Sequence, residues 1–220
     1  MINIKQILDF LTELSKNNNK EWMDKNKEEY LQAKSEFQNL TEMLISEITS
    51  FDNSIEGVEA KKCIFRLNRD IRFSKDKRPY KENFGAFIAH DGRHSQRGGY
   101  YLHVQPGNNS MLAGGVYMPQ PDVLKKIRQE IDYNPENLKR IINNEQFQKF
   151  FGTLAGEKLK TAPKGYSPDH PEIELLKFKN FIVVHYMDDT LVRKPAFQKY
   201  CIEVFREMKP LNDYLATAVS

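Results

Sequence analysis

Arginine is the residue type whose placement in this sequence most clearly indicates binding chemistry. The chain has 10 arginines against 23 lysines, so lysine is its usual surface base. A guanidinium group offers a rigid, bidentate donor for a carboxylate or a phosphate, which an ammonium group does not. Six of the ten arginines lie within residues 66–97: Arg66, Arg69, Arg72, Arg78, Arg93 and Arg97. This clustering predicts an anion-binding role.

The net charge of the chain is concentrated in the same region. The whole sequence carries 33 basic and 30 acidic residues, a net charge of +3. Residues 61–81 alone contain nine bases and two acids, so the remainder of the chain is net negative. Because a solvated surface spreads its charges, this distribution favours one local site for a small anionic, possibly phosphorylated, ligand.

An alternation of apolar and polar residues predicts a strand over residues 65–73. Its polar face would carry Arg66, Asn68, Asp70 and Arg72, because alternate side chains of a strand point the same way. Asp70 on that face is a candidate catalytic base. Arg69 interrupts the apolar set, so we expect the strand to bend or end there.

The polar loop after this strand completes the predicted pocket. Its backbone N–H groups can close over an anion, and Phe73 and Tyr80 can flank a planar ligand. The predicted ligand-binding residues are Arg66, Arg69, Arg72, Ser74, Lys75, Lys77, Tyr80 and Lys81, together with Tyr101, Gly114 and Gly115 from later strands. The alternative is that the arginines form internal ion pairs with Asp70 and Asp76.

His103 is the second candidate catalytic residue. It shares a predicted strand face with Tyr101 and Gln105, and an imidazole exchanges protons near neutral pH. His90 and His94 span a predicted turn and no acid-rich motif accompanies them, so we predict no metal and no cofactor. Gly114 and Gly115 predict a bulge or the close approach of a ligand or of another backbone segment.

Several familiar reactions are disfavoured because their motifs are missing. The sequence has no phosphate-binding G-x-x-x-x-G-K-[ST], no H-E-x-x-H, no G-x-S-x-G and no C-x-x-C. Whether the protein is an enzyme stays open. Two alternatives to a small-anion site remain: a structural or partner-binding domain with internal Arg–Asp pairs, and a nucleic-acid-binding module. A nucleic-acid-binding module would use the basic residues that alternate with the aromatic residues Phe65, Phe73, Tyr80 and Phe84. A pI of about 8.7 is, however, low for that class of protein.

Hydrophobic periodicity places these residues in an α+β fold. It predicts a helix near the N-terminus, a longer helix from about Lys20 to Ser50, helices beginning near Pro121 and Pro135, and a final helix from Pro195 to Ala218. Strands over residues 63–117 and 181–186 predict a mainly antiparallel sheet with a turn at Pro106–Asn109. We expect a single domain over residues 1–220, with the sheet packed against the N-terminal and C-terminal helices.

The stretch from Arg69 to Lys81 reads Arg-Asp-Ile-Arg-Phe-Ser-Lys-Asp-Lys-Arg-Pro-Tyr-Lys. It resembles the signature of domain-of-unknown-function family 2461, which is bacterial and fungal. The segment around Trp22 and four later segments are similar to the family too: Gly99–Pro106, Ala113–Pro119, Pro163–Tyr166 and Asp169–Pro171. The resemblance implies a single α+β domain and supports the placement of the site, and it implies no reaction.

The sequence also indicates a compartment. The longest aliphatic and aromatic run, Phe181–Val184, has four residues, which is too short for a membrane-spanning helix. The first 15 residues carry charges where a signal peptide has its apolar core. Cys63 and Cys201 fit no metal or redox spacing. We therefore expect a reduced, cytoplasmic protein with no membrane partner, and the oligomeric state is left open.

Overall fold

Asparagine side chains begin and interrupt the N-terminal helices of the computed structural model, which describes residues 2–220. Asn3 caps α1 (Ile4–Lys16) and Asn19 caps α2 (Lys20–Lys25) by accepting a backbone N–H three residues ahead. The predicted single helix from Lys20 to Ser50 is wrong. Asn26 leaves the helical conformation with ψ 33°, and its Nδ2 donates to the carbonyl oxygen of Trp22 at 2.8 Å, so α3 (Lys27–Thr49) begins anew.

The chain divides into two compact units, and the first comprises residues 2–93, 101–112 and 186–202. In it α3 packs against α1, α4 (Ala60–Cys63) and the first strand, β1 (Phe84–Ile88). The ring of Phe84 stacks on those of Phe10 and Phe37 in this core, with centroid distances of 6.3 Å and 5.3 Å. The apolar stripe of α3 is buried from Ala33 to Ile48.

The second unit comprises residues 94–100, 113–185 and 203–220. Four of its helices are α5 (Pro121–Tyr133), α6 (Pro135–Ile142), α7 (Glu145–Phe151) and α8 (Ile173–Leu176). Proline occupies the first position of α5 and α6, where its missing N–H has no helical partner to lose. Arg128 of α5 donates to the carbonyl oxygens of Leu176 and Phe178, which fixes the chain after α8.

Four antiparallel strands form one sheet in the order β1, β2 (Gly99–Val104), β3 (Ser110–Val116) and β4 (Phe181–Met187). The predicted turn at Pro106–Asn109 joins β2 to β3, and in it Gly107 and Asn108 have φ of 80° and 61°. Two helices follow β4: α9 (Asp189–Val192) and α10 (Phe197–Val219). The predicted α+β class is confirmed. The single-domain boundaries 1–220 stay a prediction.

The alternation of burial along β2 positions the candidate site. Tyr100, Leu102 and Val104 are buried in the core, whereas Tyr101 and His103 on the opposite face are half-buried. No helix among residues 2–220 is long and apolar enough to cross a membrane.

The predicted strand over residues 65–73 is wrong. Only two isolated bridges, Ile64–Ala86 and Asn68–Tyr80, pair this segment with the chain that returns to β1. The pairing ends at Arg69, whose N–H donates to the carbonyl oxygen of Pro79 at 2.9 Å. Beyond it the Asp70 carboxylate accepts the N–H of Arg72, and such local bonds compete with a β-ladder.

Candidate functional site on the sheet face

A row of hydrogen-bonded side chains, Tyr101, His103 and Gln105, follows the half-buried face of β2 in the first unit. The phenol oxygen of Tyr101 lies 3.1 Å from Nδ1 of His103, and Nε2 of His103 lies 2.8 Å from Oε1 of Gln105. A spacing of two residues brings all three to one face, as the sequence predicted. Gly85 of β1 leaves room for the phenol, because a Cβ there would lie 2.7 Å from the Tyr101 oxygen.

These hydrogen bonds fix the tautomer of His103, and burial favours its neutral form. The Gln105 oxygen only accepts, so Nε2 carries the proton, and Nδ1 accepts from the Tyr101 hydroxyl and from the Asn83 amide 3.3 Å away. Burial lowers the pKa of His103, and the positive charge of Lys81 lowers it further, against the opposing effect of the Gln105 hydrogen bond. Burial raises the pKa of Tyr101 to about 12. Both groups are therefore uncharged at neutral pH.

Lys81 lies beside this row, and Arg66 lies close enough to act on the charge of Lys81 and of Asp70. Among residues 2–220, no Asp or Glu oxygen lies within ion-pair distance of either side chain. Nζ of Lys81 lies 5.5 Å from the ring centroid of Phe65, whose ring meets that of Tyr101 edge-on at 6.2 Å. Burial lowers the pKa of Lys81, and the charge of Arg66 lowers it further. The two cations are thus close enough to repel each other.

The other arginines of the basic segment, by contrast, are already paired. Asp76 accepts from Nη1 of Arg69 at 2.8 Å and from Nη2 and Nε of Arg78 at 2.7 Å and 3.0 Å. Arg78 also pairs with Glu82, and Arg69 donates to the Arg78 carbonyl oxygen at 3.1 Å. The Arg78 guanidinium holds the pKa of Asp76 well below its usual range. This network closes the loop of residues 69–79 on itself.

Asp70 and Arg72 form a second closed pair in the same loop. Nε and Nη2 of Arg72 donate to the two carboxylate oxygens of Asp70 at 3.0 Å and 2.7 Å. The Arg72 hydrogen bond lowers the pKa of Asp70, which makes this carboxylate a poor proton acceptor at neutral pH. Nearby, Lys75 is exposed and Lys77 donates to the Ile71 carbonyl oxygen, while Ser74 donates its N–H to that same oxygen.

Tyr80 and the paired glycines have structural partners. Both backbone polar groups of Tyr80 bond the Asn18 amide, at 3.0 Å and 3.1 Å. In the second unit, a Cβ at Gly114 would lie 2.7 Å from Sδ of Met208, and a Cβ at Gly115, where φ is 102°, would collide with the Phe181 carbonyl oxygen. The close approach that the sequence predicted for Gly114 and Gly115 is therefore made to protein atoms.

A buried asparagine, Asn212, lies against Gly98, where a Cβ would be 2.9 Å from its Oδ1. Oδ1 of Asn212 on α10 accepts the N–H of Gly115 at 3.0 Å, and its Nδ2 donates to the carbonyl oxygen of Gly99 at 3.2 Å. One side-chain amide thus completes the hydrogen bonding of β2 and of β3 within the second unit.

Two further histidines, His170 and His185, form structural hydrogen bonds in the second unit. His170 donates to Asp132 at 2.9 Å through Nε2 and accepts the Glu172 N–H at 3.1 Å through Nδ1, which locks its loop. His185 lies 2.9 Å from the Phe150 carbonyl oxygen through Nδ1. Within residues 2–220, no three His, Cys, Asp or Glu side chains lie close enough together to hold a metal ion.

Comparison with known families assigns the chain. The family described as conserved hypothetical protein (DUF2461) matches residues 6–214, nearly the whole length. The chain belongs to this family. No curated protein and no solved structure matched it.

In this DUF2461 chain, the structure brings three of the sequence-predicted residues together, Lys81, Tyr101 and His103, while the charge of Arg66 acts on Lys81 and on Asp70. The prediction missed Asn83 and the role of Phe65. Asn83 lies in an irregular stretch just before β1, so no periodicity indicated where its amide points. Phe65 faces Tyr101 because Ile64 pairs with Ala86, a long-range contact that a local pattern does not encode.

Proposed function

We propose that the protein binds a small anionic ligand, such as a phosphate or carboxylate compound, over the sheet face where Arg66 and Lys81 accompany His103. The observation that carries this proposal is the pair of neighbouring cations without a carboxylate partner among residues 2–220. A like-charge pair destabilises the free protein, and a bound anion relieves that repulsion. Arg66 supplies the bidentate fork and Lys81 a point charge held against Phe65.

His103 is the acid–base group that such a site would use. It is half-buried and neutral, and an anion bound near it would favour its protonated form. Asp70 is the weaker candidate, because both of its carboxylate oxygens already accept from Arg72. A proton accepted by His103 would enter at Nδ1 in place of the hydrogen bonds from Tyr101 and Asn83, while Gln105 holds the ring through Nε2. We also propose a cytoplasmic location, which the two free, buried cysteines support.

A thermal-shift titration with phosphate, sulfate, nucleotides and sugar phosphates tests the anion site. Ligand binding to the native state raises the melting temperature with ligand concentration. We expect the shift in the wild type, and its loss in Arg66→Ala and in Lys81→Met, which keeps the apolar cover on Phe65. Arg97→Ala removes an exposed base of the same cluster and should keep the shift. Equal shifts in all four proteins, or none with any anion, would refute the proposal.

A further inference from the structure

Phe73 is the most exposed large apolar side chain among the described residues of the first unit. It is 95% exposed, whereas Phe65 is half-buried and Phe84 belongs to the core. The N–H of Ser74 donates to the Ile71 carbonyl oxygen at 3.3 Å, so Arg72 and Phe73 are the two central residues of a turn at the loop tip. A large apolar ring held there contributes nothing to a core, and exposed residues of ordered loops commonly serve binding.

The loop that carries the ring is held in shape before any partner binds. Its base is closed by Arg69, Asp76 and Arg78, and its tip by the Asp70–Arg72 pair. These internal bonds restrict the loop, so a partner does not have to order it, and preorganisation of this kind favours affinity. The guanidinium of Arg72 lies 5.8 Å from the Phe73 ring centroid, over one face of the ring.

The charges around the ring indicate the class of partner. Residues 69–79 contain five bases and two acids, and both acids are used in the ion pairs of the loop. Lys75 and Lys77 are exposed and have no carboxylate partner within residues 2–220. One flat ring next to two exposed ammonium groups, of which that of Lys77 donates to the Ile71 carbonyl oxygen, fits a single-stranded nucleic acid, in which a base stacks on an aromatic ring and the phosphates meet cations. A lipid surface instead requires a broad apolar face, and this tip offers one ring.

We infer that the loop of residues 69–79 is a contact point for single-stranded nucleic acid, with Phe73 stacking on a base and Lys75 and Lys77 binding the flanking phosphates. This inference is independent of the sheet-face anion site, whose residues do not include these three. Double-stranded nucleic acid keeps its bases stacked internally, so a single strand is the preferred form.

Fluorescence anisotropy on the full chain with labelled oligo(dT) and oligo(U) of about 16 nucleotides tests the inference. We expect Phe73→Ala to raise Kd roughly tenfold, because stacking of a base on an aromatic ring contributes on that order. Phe73→Tyr should retain the affinity, and Phe73→Leu, which is apolar but not flat, should lose it as alanine does. Tyr133→Ala removes another exposed ring and serves as the control.

The salt dependence provides a second readout. Each lysine that contacts a phosphate contributes about 0.7 to the slope of log K against log salt for a single strand. Lys75→Ala and Lys77→Ala should each reduce the slope by about that amount. The inference is overturned if the wild type binds neither strand, if Phe73→Ala or Phe73→Leu binds like the wild type, if a duplex of equal length binds as well, or if Phe73 is needed only for binding to phosphatidylserine vesicles. Arg66→Ala should abolish the thermal shift with inorganic phosphate but preserve the loss of oligonucleotide affinity caused by Phe73→Ala, so the two proposals fail separately.

Discussion

The hydroxyl group of Tyr101 donates to Nδ1 of His103 across 3.1 Å, and both groups are half-buried on one face of β2. Tyr101→Phe keeps the ring against Phe65 and removes only this donor. We expect a loss of about 1 kcal/mol in the free energy of unfolding, because the Asn83 amide still satisfies Nδ1. Urea unfolding at pH 7 measures it, and an unchanged midpoint would show that the bond does not stabilise the fold.

The stability of the protein should fall in mild acid partly through His103. Burial is the main cause that lowers the pKa of His103 in the folded protein from 6.5. As the pH falls below about 6.5, the unfolded chain therefore binds more protons than the folded protein does. The stabilisation of the neutral ring is complete above about pH 6.5 and is lost as the pH falls towards the folded pKa. His103→Gln should flatten the pH dependence of the melting temperature between about pH 7 and 5. An equally steep profile in both proteins would contradict this assignment.

The loop of residues 69–79 should loosen when Asp76 loses its charge. Asp76→Asn removes the acceptor shared by Arg69 and Arg78, and we expect faster tryptic cleavage at the bases of the loop. Because the folded pKa of Asp76 is lowered from 3.8, its ion pairs persist at neutral pH and are lost only in strong acid. Asp91→Asn changes another exposed acid and should leave the cleavage rate as it is.

Gly115 should tolerate no side chain. Its φ of 102° and the nearby Phe181 carbonyl oxygen add backbone strain to a collision, so Gly115→Ala should cost about 3 kcal/mol. Gly165 also has a positive φ, of 95°, but a Cβ there would meet nothing within 4 Å. Gly165→Ala should therefore cost only about 1 kcal/mol. Chemical denaturation of both variants checks the ranking, and equal losses would assign the whole effect to φ.

The two cysteines should resist modification in the native protein. Burial raises the pKa of Cys63 to about 11 and raises that of Cys201 as well. The reactive thiolate is therefore scarce at pH 8, and both sulfur atoms are inaccessible to a reagent. A thiol-reactive chromophore should label neither residue until denaturant is added, and rapid labelling of the folded protein would contradict the burial of that thiol.

Periodicity predicted the longer helices, apart from the break at Asn26, and the β2–β3 hairpin, because these elements depend on residues close together in sequence. The turn residues at Pro106–Asn109 and the prolines at 121 and 135 carry local conformational preferences that the structure retains. The row of Tyr101 and His103 followed from the same local rule, since two residues apart on a strand means one face.

The basic segment was harder to predict because its alternation of apolar and polar residues is compatible with a strand and also with a loop. Residues 65–73 fit a strand in composition, yet Asp70 and Asp76 bond the backbone two residues ahead and bend the chain into a loop. Phe73 consequently projects to solvent instead of joining Leu67 in the core. The path of this loop determines which arginines form ion pairs. Of the four arginines between residues 66 and 78, only Arg66 forms no ion pair with a carboxylate among residues 2–220.

The bonds of Asn212 to Gly99 and Gly115 have a consequence for biosynthesis. The two strand residues leave the ribosome roughly a hundred positions before the amide that completes their pairing. Until α10 is synthesised, the carbonyl oxygen of Gly99 at the start of β2 and the N–H of Gly115 near the end of β3 lack the amide that bonds them both. The hydrogen bonding at the open end of the nascent hairpin is therefore completed late in translation.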